Sequence, residues 1–366
     1  MIDTVVLTIP VTKENILDPR RFSPSASGLF KEPYYSSFIQ CKLNPSKDQK
    51  DKGNYLPRLT LSSRMKNNVY QVFLRIEFSA PKILFGNNFE EIREEDFPKL
   101  ISELKYKLFL MGIILLDNQL INAPVSSVHY CRNIPLQAYV SCSMVINQLE
   151  KAGNYNEWLD LDKTSFRNGG QILHMHSDRW EFVVYDKLRD LERAKLGKNR
   201  SVEEDNYSQL DMFKDKYPKQ EILRLELRIN TKQKLRALLT TIGDGKSLKN
   251  ITFVNIFKRE ISQKLLRYYW GKIQMVTNLP ENIKTNSNII EISTAIRIKY
   301  PEMKDNDLMR LTYGIIFIQE YGTRAFRNFM QWNKDRGYKW NRFNKQLEKS
   351  SFLCNMNILS DIETKI

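Results

Sequence analysis

The run from Gln171 to Lys187, QILHMHSDRWEFVVYDK, constrains the fold more than any other stretch of the chain. Apolar, β-branched and aromatic residues flank Ser177-Asp178-Arg179, a pattern that predicts a β-hairpin. Side chains alternate between the two faces of a strand, so His174 and His176 share one face. With a turn of two or four residues, Tyr185 joins that face further along the hairpin. With three residues it points away. The chain has three histidines, the third being His129. Paired imidazoles can hold a divalent ion, and a tyrosine beside that ion can attack a phosphodiester.

Other segments supply the rest of a sheet. Residues 2–9, rich in β-branched types and followed by Pro10, predict an N-terminal strand. Strands are also predicted over Tyr70–Ser79, Val125–Arg132 and Glu221–Asn230. Phe97, Ile101, Leu104, Leu108 and Met111 recur at helical spacing, with Asp96 as the expected N-cap before Pro98. A short helix is expected over Ser143–Lys151, and Asp186–Leu196 is compatible with another. Residues 44–53 and 197–219 read as polar connections, and Gly86-Asn87-Asn88 as a turn. From about 231 the chain reads as helices. This order predicts an α+β fold: an antiparallel sheet with flanking helices over 1–240, then a helical region over 241–366.

Of 366 residues, 57 are Lys or Arg and 42 Asp or Glu, for a net charge of +15. That surplus suits a polyanion, nucleic acid before an anionic membrane. No apolar run reaches the length needed to span a bilayer. The start lacks the pattern of a signal peptide, and Cys41, Cys131, Cys142 and Cys354 show no C-x-x-C spacing, so a reduced cytoplasmic setting is expected. Between 324 and 349 the basic residues Arg324, Arg327, Arg336, Lys339 and Arg342 interleave with Phe326, Phe329, Trp332, Tyr338, Trp340 and Phe343. Such interleaving suits a surface that tracks a DNA backbone and stacks bases, and equally an amphipathic helix pair with an aromatic core.

Three segments therefore carry titratable groups on predicted strands: His129; the hairpin with His174, His176 and Tyr185, with Lys187 following; and Arg224, Glu226 and Arg228 on one face of the strand Glu221–Asn230. DNA nicking by transesterification needs a nucleophile, an ion that polarises the phosphate, and cations around the developing charge. Tyr185 fits the first role. A subset of His129, His174, His176 and Glu226 fits the second, and Lys187 with Arg224 or Arg228 the third. Each group also has a plain structural reading: surface histidines, a half-buried tyrosine, and a solvated ion-pair ladder.

Several stretches resemble the gene II / gene X replication initiators of filamentous phages, rolling-circle nicking enzymes with HUH-like chemistry. The N-terminus, with Met1-Ile2-Asp3, Val6-Leu7 and Pro10, is similar to that family's. Ser79–Asn88 resembles its S-x-x-K-hydrophobic-L-x-G-x-N stretch, Val184–Lys187 its Y-x-K element, and Arg224–Thr231 its R-x-E-x-R-I-x-T strand. Residues 321–338 resemble a C-terminal helix of the family. His129 stands where the family carries an acidic residue. The resemblance implies an HUH/Rep-like core that nicks and religates one strand at a phage or plasmid origin through a 5′-phosphotyrosine. It implies Tyr185 as nucleophile, Mg²⁺ or Mn²⁺ as cofactor, and single- and double-stranded origin DNA with host helicase and polymerase as partners. The alternative is a non-catalytic, sequence-specific DNA-binding protein.

Overall fold

The computed structural model describes residues 1–30, 40–45, 55–66, 69–136, 140–150, 163–167, 172–190, 221–243, 250–277, 289–321, 326, 329–332, 338–349 and 358–366. Among them nine strands form one sheet: β1 (Ile2–Val11), β2 (Gln40–Leu43), β3 (Arg58–Lys66), β4 (Val69–Ser79), β5 (Val125–Pro135), β6 (Lys163–Arg167), β7 (Ile172–Ser177), β8 (Trp180–Asp186) and β9 (Ile222–Ile229). Their order is β2-β3-β4-β1-β5-β9-β8-β7-β6. All eight pairings are antiparallel, as an α+β fold with an antiparallel sheet requires.

Helices alternate with and follow the strands: α1 (Ala80–Phe85), α2 (Phe97–Leu110), α3 (Asp117–Ile121), α4 (Cys142–Glu150), α5 (Lys232–Thr241), α6 (Phe253–Ile256), α7 (Arg259–Thr277), α8 (Ile289–Lys299), α9 (Asp305–Tyr321), α10 (Tyr338–Lys349) and α11 (Ile358–Lys365). The chain after β9 is thus helical among the described residues, as expected. The polar connection at 197–219 lies outside them.

One local expectation is corrected and a second is refined. Pro10 does not end the first strand, which runs on to Val11. Pairing with β5 stops near Thr8, whose N–H bonds to Pro124, while pairing with β4 continues through Pro10 and Val11. A proline is tolerated where the strand has a neighbour on one side alone. Asp96 stands at the N-cap of α2 as expected, but its side chain makes no capping hydrogen bond into that helix. Its carboxylate instead accepts the N–H of Arg93 at 2.8 Å and closes the 3₁₀ turn ahead of the helix.

The sheet has a buried face and a polar one. On the buried face Leu173, Met175, Phe182, Val184, Tyr130, Leu225 and Leu227 are sealed from solvent. α6 and α7 cover them: the rings of Trp180 and Tyr269 lie 4.3 Å apart, and the Tyr130 hydroxyl bonds to the Ile256 carbonyl. Residues from β1 through α7, with α11, share this core. Ile292, Ile296, Leu311, Ile315, Phe326 and Phe343 form a second apolar cluster, between α8, α9 and α10.

Phe182→Ala, which empties the space beside Tyr269, is expected to destabilise the protein by about 3–5 kcal/mol in urea unfolding. Arg75→Ala, on the half-exposed face of β4, is expected to stay within about 0.5 kcal/mol of wild type.

Candidate active site

The register of four strands assembles the polar face. The β7–β8 turn holds two residues, Asp178 and Arg179, with Ser177 opposite Trp180. Tyr185 therefore shares the face of His174 and His176. Cross-strand partners point to the same side of a sheet, and the pairings line up in rows. Ile172, Tyr185, Arg224 and Asn133 form one. His174, Val183, Glu226 and Cys131 form the next, and His176, Glu181, Arg228 and His129 the third. Asp3 joins them through a bulge: Ile2 pairs with Tyr130 and Val5 with Val128, so β1 carries one extra residue there. Bulges re-aim side chains in this way. Here Ile2 and Val5 are both buried, and Asp3 reaches Arg224.

Glu226 is the hub. Its Oε2 accepts the Tyr185 hydroxyl at 3.0 Å and lies 3.8 Å from Arg224 Nε. Its Oε1 accepts Arg228 Nε at 2.9 Å and lies 3.6 Å from His129 Nδ1. Arg228 Nη1 continues to Glu181 Oε2 at 3.2 Å, which also meets His174 Nε2 at 2.9 Å, while His176 Nδ1 is 3.8 Å from Glu181 Oε1. One chain of charge thus runs from the tyrosine to both hairpin histidines.

The turn after α1 closes over this face. Gly86 ends α1 in the left-handed conformation (φ 70°), which glycine adopts without strain. Asn87 Oδ1 then accepts the N–H groups of Phe89 and Glu90, bracing the turn. Asn88 is thereby presented to two cations: its side-chain oxygen accepts Lys187 Nζ at 2.9 Å, and its carbonyl accepts Arg224 Nη1 at 2.8 Å.

Burial and charge set the titration of these groups. Burial, with the Glu226 carboxylate beside it, pushes the Tyr185 hydroxyl well above its ordinary value, so it is neutral at pH 7. Burial and Arg224 pull Lys187 down to about 8. Burial opposes ionisation of Glu226, but Arg228 and Arg224 overcome it and hold the carboxyl well below its usual range. Burial lowers His129, favouring the neutral imidazole that a metal ion needs.

Two groups of ligand atoms lie close enough to share an ion: Asp3, His129 and Glu226, and separately His174, His176 and Glu181, each within 4.8 Å. A third such group, Cys142, Asp186 and Glu221, is buried apart from the tyrosine. The structure thus divides the four expected ligands between two clusters and adds Asp3 and Glu181. Asn88 was likewise not expected in the site. Glu181 was legible as the cross-strand neighbour of His176 once the turn holds two residues. Asp3 depends on a bulge and Asn88 on a long-range approach; both fall in stretches that carry the family resemblance, Met1-Ile2-Asp3 and Ser79–Asn88, which is the signal that could have found them. Arg224, with 1% of its side chain exposed, is held inside the site, whereas Arg228 is one-third exposed. Lys339 and Arg342 are exposed on α10, whose Phe343 is buried. Arg324, Arg327 and Arg336 fall outside the described residues. A cavity of about 1010 Å³, lined by Glu90, Glu91, Glu94, Glu95 and Asp96 with Arg93, Arg132 and Arg259, meets the polar rows only at Asn133 and Cys131; Tyr185, Lys187, Arg224 and Glu226 do not line it, and its acidic wall disfavours a polyanion.

A family model described as the N-terminal region of the replication-associated gene II protein matches residues 1–246. The chain belongs to this family, the gene II replication initiators of filamentous phages. Membership implies a role in initiating replication, and with it DNA binding at an origin. The family region contains all nine strands and every residue of the Tyr185 network, while Lys339 and Arg342 lie beyond it. No curated protein and no solved structure matches the chain. Among the described residues no helix is long and apolar enough to cross a membrane.

The His174 hydrogen bond holds the Glu181 carboxyl at about 2, against an ordinary 4.5. A depressed carboxylate stabilises the fold fully above its unfolded value and loses that contribution as pH falls toward the folded one. Glu181→Gln is therefore expected to flatten the loss of unfolding free energy between pH 5 and about 2.5, measured by urea titration.

Proposed function

We propose that this initiator nicks and religates one strand of DNA at a phage or plasmid origin, through a 5′-phosphotyrosine formed on Tyr185. The observation that carries this reading is the Tyr185–Glu226 hydrogen bond, ringed by Lys187, Arg224 and Arg228, on the polar face of a sheet that lies wholly within the gene II family region.

The donor set fits a divalent ion. Asp3, His129 and Glu226 offer two carboxylates and a neutral imidazole beside the tyrosine, a set that suits Mg²⁺ or Mn²⁺. His174, His176 and Glu181 offer two nitrogens and one carboxylate, which favours Mn²⁺. When bound, such an ion withdraws charge from the phosphate oxygens and lowers the cost of ionising a nearby hydroxyl.

The remaining work falls to the chain. Glu226, too acidic to be an effective base, orients the Tyr185 hydroxyl by accepting its proton in a hydrogen bond. The Tyr185 oxygen bonds to the scissile phosphorus as the bond to the 3′ oxygen breaks, and a proton ends on that 3′ hydroxyl. Lys187 and Arg228 offset the charge that builds on the phosphate. Arg224, pinned by Asp3 and Asn88, holds Glu226 in place. Attack by the 3′ hydroxyl on the phosphorus re-forms the phosphodiester as the bond to the Tyr185 oxygen breaks, and a proton returns to the phenol. Each step exchanges one phosphodiester for another, so no nucleotide is consumed. The free 3′ hydroxyl would prime a host polymerase, with a host helicase opening the duplex, in the bacterial cytoplasm. Residues 241–366 would add grip on DNA, with Lys339 and Arg342 facing the backbone.

Supercoiled DNA from the element encoding the chain is expected to be nicked by wild type with Mg²⁺ or Mn²⁺, leaving protein on a 5′ end. Tyr185→Phe is expected to bind but not nick. Binding without cleavage by either protein would support instead a non-catalytic, sequence-specific DNA-binding protein.

The rate of nicking should also fall as pH rises through about 8, where Lys187 loses its charge. In Lys187→Arg that alkaline limb is expected to vanish from a single-turnover pH profile, because a guanidinium stays charged.

A further inference from the structure

The two candidate ion clusters share one neighbour. Arg228 Nε bonds to Glu226 Oε1 at 2.9 Å, and Arg228 Nη1 to Glu181 Oε2 at 3.2 Å. These are the carboxylate oxygens turned toward the histidines, with His129 Nδ1 3.6 Å from the first and His174 Nε2 2.9 Å from the second. The guanidinium therefore occupies the oxygens that each cluster would offer a cation. Two cations cannot share those oxygens without strong repulsion at so short a range.

The guanidiniums flanking Glu226 differ in freedom. Arg224 is 1% exposed and pinned by Asp3 and the Asn88 carbonyl. Arg228 is 33% exposed and is held at its guanidinium by the two carboxylates. An incoming ion will displace the one that can swing into water. On this strand that is Arg228, whose freed charge then faces the surface where a phosphate must lie.

We infer that Arg228 is a built-in substitute for the divalent ion, a positioning residue that holds Glu181 and Glu226 together until the ion displaces it and then transfers its charge to the DNA backbone. The inference rests on the metal-dependent reading above. Its consequence is thermodynamic coupling: the ion frees Arg228 for DNA, so ion and DNA each tighten the binding of the other.

The test is Mn²⁺ binding to the full chain without DNA, followed by the EPR signal of free Mn²⁺. Arg228→Gln is expected to bind Mn²⁺ about tenfold more tightly than wild type, because a competing cation is gone. Mn²⁺ should also strengthen binding of a fluorescent single-stranded oligonucleotide by wild type but not by Arg228→Gln. Equal or weaker Mn²⁺ binding by Arg228→Gln overturns the inference, since an arginine that merely orients the ligands would weaken binding on removal. If the glutamine variant does not fold, Arg228→Lys serves. It keeps the charge but cannot span both carboxylates, and its Mn²⁺ affinity should also rise above wild type; no rise overturns the inference. If wild type and variants all fail to bind Mn²⁺, the metal-dependent reading falls with it. If wild type binds and the variants bind no more tightly, the Arg228 inference alone falls.

Discussion

A carboxylate buried in the middle of a sheet is unstable unless its charge is answered, and Glu226 is answered from its own strand. Arg224 and Arg228 sit two residues to either side, on the same face by the alternation of β9. This clamp fixes where everything else on the polar face must be. With one carboxylate oxygen turned to Arg224 and the other to Arg228, the Tyr185 hydroxyl finds its acceptor on one side and His129 approaches on the other. Buried ion pairs repay their desolvation poorly. The stability of the region comes instead from the opposite face, where Leu225, Leu227, Phe182 and Val184 are sealed under α6 and α7. The sheet thus separates the two tasks: one face supplies the free energy of folding and the other spends part of it on charge.

That division leaves the site enclosed at one end and open at the other. Arg224 and Lys187 are fully enclosed, and both are tied to Asn88 in the braced turn after α1. The hairpin side is more open, with His176 partly exposed and Arg228 reaching between two carboxylates. Tyr185, the proposed nucleophile, and the cations beside it therefore sit at the enclosed end of a gradient, and His176 and Arg228 at its open end. A group that must ionise to react gains from a fixed environment, since reorganisation there would cost rate. A group that must trade a carboxylate for a phosphate gains from access to water.

How much of this was legible in the chain depends on the range of the interaction that decides it. Period-two alternation is local, and it placed Arg224, Glu226 and Arg228 together and tied the face of Tyr185 to the length of one turn. The two-residue turn at Asp178-Arg179 then put Tyr185 with the histidines. What alternation cannot give is strand order. That β9 lies between β5 and β8 brings Glu226 within reach of His129 and Tyr185, yet separates His129 from His174 and His176, so four expected ligands fall into two groups. The extension of β1 through Pro10 has the same cause, because it hinges on β5 ending early beside it. Asp3 enters only through a bulge and Asn88 only through a loop folded over the sheet.

The C-terminal region shows the same limit. Basic residues interleaved with aromatics are equally compatible with a base-stacking surface and a helical core, and composition cannot separate them. Packing does, residue by residue. Phe326 and Phe343 are buried against each other and close on Gly314, where an added Cβ would collide with the Phe343 ring. Those aromatics are needed to join α9 to α10. Phe329 and Tyr338 are 69% and 73% exposed, and Lys339 and Arg342 share the open side of α10. Phe329 stacks on Phe317 with ring centroids 5.2 Å apart, so packing accounts for part of its surface; exposed rings on a basic protein also suit the single-stranded DNA proposed as its partner. The aromatic content is therefore divided between core and surface, and its exposed part is what the proposed grip on DNA would draw on.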